Sequence, residues 1–427
     1  MTDDVSNAFE WVSHIWGSQP RWTVEPSIAL IEQLARQHLH LPAQAPCTIT
    51  FFAEGGFNKL YDIKAPARNC LIRVALPVEP RRKTLSEVAT IEFVRQRCTE
   101  LVPRVLAYDA CTDAQVNSLG FEWMIMEKLP GTVLEERWNE ISWEAKEQLV
   151  KTLVGIIGRL HDHPLSGIGN IYPPQEGALT PAPTPAVDRI VAMAFFWDKH
   201  SDQDVPRGPF HSSHDWLAAR LAFVLNDAAE TLRTSEDEDD REEAVETQEA
   251  AQRLARLLPR LFPLHADGDE PERTIIHHDD LSFHNLLVDD AGRLTGIVDW
   301  ECVSALPLWK ACQLPSFLVG RARAERPDAE LYAVDEDGTR ELYDEQLREW
   351  ELTQLRVVFL EEMERVRPVW VREHRSAGQR ADFELALTHC DGELTRRRVC
   401  RWIDRVEEIG DELDMSQYVS LRDELFI

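Results

Sequence analysis

Hydrophobic and polar positions fall into two regimes along the chain. From Pro26 onward, Ile28, Ile31, Leu34, Ala35 and Leu39 recur at helical spacing. Three runs then read as strands: Thr48–Ala53, Asn58–Lys64 and Cys70–Leu76. Their joints, Glu54-Gly55-Gly56-Phe57 and Pro66-Ala67-Arg68-Asn69, carry hairpin chemistry. Thr84–Arg97 puts Leu85, Val88, Ile91 and Val94 on one helical face, and strands near Val105–Tyr108 and Phe121–Glu127 complete a small antiparallel sheet. The regime changes at Leu129-Pro130-Gly131. Helical patterns follow at Trp143–His161, His214–Ala229 and Ala251–Phe262, with two long helices expected from about Glu341. A β-rich island at Thr274–Val298 interrupts them. Residues 1–26 have no clear period, Tyr172–Pro185 reads as a Pro-rich loop, and there is no internal repeat. The expectation is an α+β, two-lobed architecture: an N-terminal extension over 1–47, a small antiparallel N-lobe over 48–128, and a mostly helical C-lobe over 129–427.

Charge narrows the function classes. The 427 residues carry 46 Lys and Arg against 75 Asp and Glu, a net charge of −29. That balance argues against a nucleic-acid binder and against docking on an anionic membrane. It favours a cationic small molecule, or simply an acidic soluble protein. Residues 236–249 hold nine acids around Arg241 and read as a solvated loop or a frayed helix start. None of the eight cysteines forms a CxxC pair, so they read as reduced, mostly buried thiols. The acidic N-terminus has no leader character and no apolar run is long enough to span a membrane, so a cytosolic protein is the default.

The strongest chemical signal lies in the β-rich island. A short apolar strand ends in a polar loop from His277 to Asn285, a second strand Leu286–Val288 turns at Asp289–Gly292, and a third, Leu294–Val298, ends at Asp299. Asp280, Asn285 and Asp299 therefore lie at the ends of one small hairpin and form an oxygen-rich point of the kind Mg²⁺ favours. The spacing is the His-x-Asp-x4-Asn catalytic-loop pattern followed by an Asp after a strand, with His278 as its histidine. His161 and His163 read as a helix cap and turn rather than a metal pair. Nothing places His211, His214 and Asp215 near the island, and no Gly-x-Ser-x-Gly elbow is present.

These stretches resemble the aminoglycoside-phosphotransferase and choline-kinase branch of the protein-kinase-like fold. In detail they resemble fungal phosphotransferase-like proteins, including those named for altered inheritance of mitochondria. The resemblance is carried by Ile276–Val288, by Gly296-Ile-Val-Asp-Trp-Glu301 and by Leu306-Pro307-Leu308…Leu314-Pro315. Upstream, Glu54–Tyr61, Leu71–Val74, Ser86–Ala89, Val102–Tyr108 and Met126–Gly131 follow in family order. The resemblance implies an ATP- and Mg²⁺-dependent transfer of the γ-phosphate to a hydroxyl of a small molecule, and the acidic balance favours an amine-bearing acceptor such as an aminoglycoside or amino alcohol. Asp280 resembles the catalytic base, Asn285 and Asp299 the Mg²⁺ ligands, and His278 a loop-bracing structural histidine. Gly55 and Gly56 resemble the turn over the phosphates, and Met126, Glu127 and Lys128 the hinge that binds adenine. Arg73 stands where the family often has lysine, with Glu87 as its expected partner; Lys59 and Lys64 are rivals on the preceding strand, and Glu92 is the rival to Glu87 on a different helix face. The acceptor would face Asp280, in a pocket built from helices after Glu301 and from the region around Phe195–Asp198. Two alternatives are a protein kinase and a nucleotide-binding scaffold without catalysis, for example in mitochondrial maintenance. Mitochondrial association rests on the resemblance alone, and neither the acceptor nor the oligomeric state has a signature in the chain.

Overall fold

The computed structural model describes residues 8–14, 17–66, 68–98, 101–175, 177, 185–266, 268–334, 340–409 and 420–425. It opens on a hairpin that the periodicity did not reveal, β1 (Phe9–His14) and β2 (Gly17–Trp22), paired from Phe9↔Trp22 to His14↔Gly17. Helix α1 (Ile28–His38) follows, capped by Ser27. Then come β3 (Thr48–Glu54), β4 (Asn58–Ala65), β5 (Arg68–Ala75), helix α2 (Arg82–Arg95), β6 (Val105–Asp109) and β7 (Glu122–Glu127). The five strands form one antiparallel sheet in the order β3-β4-β5-β7-β6. Strand alternation divides the chemistry of β5. Ile72 and Val74 go to the face that packs on Ile31, Leu34 and Ala35 of α1, while Leu71 packs on the opposite side with Met124 and Met126.

Gly131 takes φ +110°, and a Cβ there would lie 2.3 Å from Thr295 Oγ1 and 2.7 Å from the Val288 carbonyl. Only glycine allows that crossing. The next residues form β8 (Thr132–Val133), which adds to the island hairpin β13 (Leu286–Val288) and β14 (Leu294–Ile297) in the order β14-β13-β8. Between β8 and the hairpin lie α3 (Leu134–Arg137), α4 (Trp143–His161), β9 (Leu165–Ser166), β10 (Asn170–Ile171), β11 (Val187–Asp188), α5 (Met193–Phe196), α6 (Ser213–Thr234), α7 (Glu238–Leu261) and β12 (Arg273–His277). After the hairpin come β15 (Ser304–Pro307), α8 (Leu308–Ala311), α9 (Glu341–Val366), α10 (Pro368–Ser376), α11 (Gly378–His389) and α12 (Glu393–Ile409). The fold is the two-lobed α+β arrangement expected from the sequence, with the island under the N-lobe sheet.

The acidic stretch is the solvated start of the long helix α7, the second of its two expected readings, with Asp237 as N-cap and Glu238, Asp239 and Asp240 in the first turn; acids there meet the positive end of the helix dipole. Two expectations need correction. In place of two long helices after Glu341, the described residues form α9 to α12, broken at Pro368, Gly378 and Gly392, and a short α13 (Leu421–Leu425). The hairpin β1–β2 replaces the aperiodic reading of its residues. Residues 176 and 178–184 of the Tyr172–Pro185 stretch lie outside the described residues. All eight cysteines are free, and Cys70, Cys98, Cys312 and Cys390 are buried. Among the described residues, no helix is long and apolar enough to cross a membrane.

Candidate active site

The polar loop after β12 brings the pattern residues together. Asn285 Nδ2 donates to Asp280 Oδ2 at 2.8 Å and to the Asp280 carbonyl at 2.9 Å. The Val298 N–H donates to the Asn285 carbonyl at 3.0 Å, so the end of the third strand is tied to the loop, and Asp299 follows directly. Asp299 sits at φ +61°, an unusual backbone for a residue with a side chain. His278 is buried beneath, its Nε2 3.2 Å from the Val298 carbonyl and its ring edge-on to Trp300 at 4.9 Å. Trp300 Nε1 donates to the Ile297 carbonyl at 2.9 Å. Burial pushes the His278 imidazole down to about 4, so it is neutral and braces the loop through Nε2–H. Behind it is a cavity of about 50 Å³ lined by Ile156, Leu160, Ile276 and Trp300.

Arg73 reaches the cleft from β5, pairing with Glu87 of α2. Its Nη1 lies 3.4 Å from Glu301 Oε2, and its buried Nε has no partner. Neither rival cation shares this position. Lys59 is occupied by Glu25 at 2.5 Å and lies over Trp22, and Lys64 is exposed. Glu92 is half-buried on another face of α2. Met126 is buried at the end of β7, Glu127 is exposed, and Lys128 pairs with Asp62 at 3.0 Å. Gly55 and Gly56 occupy the β3–β4 turn, closed by the Gly55 N–H donating to the Asn58 carbonyl at 2.9 Å. A Cβ at either glycine would meet nothing within 4 Å.

The site also holds residues that the sequence reading passed over. Asn58 of β4 and Lys83 of α2 both contact Glu301, at 2.8 Å and 2.5 Å. The available signal was a polar face: Lys83, Ser86, Glu87 and Thr90 stand at i, i+3, i+4 and i+7 of α2, and all four are buried. Asp299 reaches solvent at its outer edge, yet crowding in the cleft and the Glu301 carboxylate push its acidity weaker than usual. Burial would do the same to Glu301, but Lys83 and Arg73 overcome it and hold that carboxylate well below the ordinary range.

Other candidates fall away. His161 is buried in the last turn of α4 and His163 is exposed beyond it. His214 Nδ1 is 2.9 Å from the Phe262 carbonyl, in the α6–α7 layer. Phe195 packs on Phe210 and Phe223, whereas Phe196 and Trp197 pack on Phe57, next to the glycine turn. Among the described residues, no three or more His, Cys, Asp or Glu side chains are placed to hold a metal unaided.

A sequence profile of the phosphotransferase enzyme family matches residues 48–309, more than half of the chain. This chain is a member of the phosphotransferase enzyme family. Relatives of this phosphotransferase-family chain include a subtelomeric hrmA-associated cluster protein of Aspergillus fumigatus, 25% identical over 308 residues, which are 63% of this chain and 60% of that protein. The chain thus spans about three fifths of that relative's length. Altered inheritance of mitochondria protein 9 of Komagataella phaffii is 34% identical over 93 residues, 20% of this chain and 15% of that protein. A thermostable mutant of aminoglycoside phosphotransferase APH(4)-Ia, solved as a ternary complex with ADP and hygromycin B, superposes with a TM-score of 0.42 at 13% identity, covering 90% of this chain and 99% of that chain.

Proposed function

We propose that this chain is an ATP- and Mg²⁺-dependent phosphotransferase that moves the γ-phosphate to a hydroxyl of a small molecule. One observation carries the reading: Asp280 is hydrogen-bonded to Asn285 on the same hairpin that presents Asp299, beneath the Arg73–Glu87 ion pair of the N-lobe.

The donor set suits magnesium. The nitrogen of Asn285 is spent on Asp280, which leaves its Oδ1 and the Asp299 carboxylate as hard oxygen ligands. Two protein groups suit a magnesium ion that completes its shell with phosphates and water. When bound, it would neutralise charge on the phosphate oxygens. Arg73, fixed by Glu87, is oriented to meet the same phosphates. The uncrowded Gly55–Gly56 turn would let backbone N–H groups approach them. Adenine would lie at Met126–Lys128. Asp280, exposed and held by the Asn285 amide, would accept the proton of the acceptor hydroxyl as the new O–P bond forms. The bond from the γ-phosphorus to the ADP oxygen breaks, and ADP leaves.

An amine-bearing acceptor fits the net charge of −29 and the exposed Asp279 beside Asp280. The test is phosphate incorporation from ATP across a panel of aminoglycosides, amino alcohols and sugars, run on wild type and Asp280→Asn. Wild type phosphorylates at least one member and the variant does not, while Mg·ATP raises the melting temperature of both. Equal background turnover in the two proteins, with both still stabilised by Mg·ATP, would leave only a nucleotide-binding scaffold.

A further inference from the structure

Three donors from separate parts of the N-lobe end on one oxygen of Glu301. Lys83 Nζ is 2.5 Å from Glu301 Oε2, Asn58 Nδ2 is 2.8 Å away and Arg73 Nη1 is 3.4 Å away. Lys83 Nζ also donates to Asn58 Oδ1 at 3.3 Å, so the Asn58 amide bridges the ammonium and the carboxylate and fixes both. Lys83 is 2% exposed, Arg73 4% and Asn58 6%.

The two cations are not equivalent. Arg73 has a dedicated counter-ion in Glu87 on the helix above it. Lys83 has Glu301 as its carboxylate partner, and Glu301 lies two residues beyond Asp299 on the loop proposed to meet the nucleotide. A buried ammonium is costly without an anion, and one partner borrowed from the cleft floor is all Lys83 has among the described ion pairs. A phosphate oxygen carries the same sign as a carboxylate oxygen and accepts the same donors. A purely structural bridge would not need to sit at this point of the cleft, nor to collect the phosphate-directed arginine as well.

We propose that Lys83 is a second phosphate-directed cation beside Arg73, and that Glu301 is the internal counter-ion which nucleotide phosphates displace from both. The assignment rests on the phosphotransferase reading, because it uses the same cleft. It makes Glu301 a competitor of the nucleotide: its carboxylate must leave Lys83 before phosphate can take its place. The two ends of the bridge then have opposite effects on binding. Removing the cation removes a phosphate contact, whereas neutralising the carboxylate removes a competitor. Breaking a structural bridge would instead weaken binding from either end.

The test measures dissociation constants of the full chain for inorganic tripolyphosphate and for Mg·ADP by calorimetry. Tripolyphosphate has no adenine, so it isolates the phosphate contacts. Lys83→Met is expected to weaken tripolyphosphate by about tenfold or more, the worth of one charge-assisted hydrogen bond. Lys83→Arg is expected to recover most of the loss, and Glu301→Gln to tighten both ligands severalfold. Unchanged affinity in Lys83→Met overturns the assignment, as does a parallel loss in Lys83→Met and Glu301→Gln. If Lys83→Met does not fold, Glu301→Gln decides alone, and weaker binding overturns the assignment. Failure of wild type to bind either ligand removes the phosphotransferase reading and this assignment together. Binding by wild type without the opposite signs removes this assignment alone.

Discussion

The buried histidine of the catalytic-loop pattern should make the fold acid-sensitive in a specific way. His278 has its Nε2 against the Val298 carbonyl, so that nitrogen carries the hydrogen, while its Nδ1 is buried with no partner. Protonation would place a charged N–H where nothing accepts it. The imidazole is accordingly pushed from 6.5 down to about 4. In the unfolded chain it would titrate near its ordinary value, so between those limits the unfolded state binds a proton that the folded state refuses. Stability is therefore full above about pH 6.5 and is lost as the pH falls toward 4. At about 1.4 kcal/mol for each tenfold change in proton affinity, the loss is roughly 3 kcal/mol. The assay is urea unfolding of wild type and His278→Leu from pH 7.5 to pH 4. Leu is similar in bulk and cannot titrate. The variant starts less stable at neutral pH by about 1 kcal/mol, having lost the bond to Val298, but wild type should lose roughly 3 kcal/mol relative to it by the acid end, so the gap closes and reverses. Parallel pH profiles would refute the neutral, bracing imidazole.

The remaining expectations are more direct. Asp280→Asn should lower phosphate transfer by about 10²–10⁴-fold with little change in melting temperature, because the side chain is exposed; a comparable drop in both would mean a structural role. Asp299→Asn should abolish the Mg²⁺-dependent part of ADP binding, read by titrating ADP with and without the ion. Gly131→Ala should cost about 2–4 kcal/mol in chemical denaturation, since φ +110° and a Cβ 2.3 Å from Thr295 Oγ1 both oppose it; a loss under about 0.5 kcal/mol would show that the crossing adapts. Asn170, wholly buried, bonds Ser86 Oγ at 2.7 Å, the Val303 carbonyl at 3.0 Å, the Val191 N–H at 2.8 Å and Ser304 Oγ at 2.9 Å. Asn170→Ala should cost about 3 kcal/mol in the same assay, and a neutral result would mean that water replaces the amide.

What could be read in advance follows from the range of each interaction. The sheet was legible because alternation and turn residues act between neighbours, as in Asn58–Ala65 paired with Arg68–Ala75. The hairpin of Asp280, Asn285 and Asp299 was legible because twenty consecutive residues carry all three. The first hairpin was hidden by Gly17, Ser18 and Pro20 in β2, residues with poor strand propensity that an outlying two-stranded ribbon tolerates. The breaks at Pro368, Gly378 and Gly392 were readable punctuation within what looked like two long helices.

Lys83 and Asn58 were not legible in the same sense, since their partner Glu301 lies 218 and 243 residues away. A local pattern cannot name a partner at that distance, but it can show that one is required. Helix α2 has its polar residues Lys83, Ser86, Glu87 and Thr90 on one stripe, and that stripe is as buried as the apolar one. A solvated face would need no stripe, and a core face would not use an ammonium and a carboxylate. Each of the first three finds its partner off its own helix: Lys83 on Glu301, Ser86 on Asn170, and Glu87 on Arg73. Sheet, island hairpin and helical lobe thus meet on one element, so on the proposed reading a phosphate that reaches Lys83 exchanges an existing contact for its own.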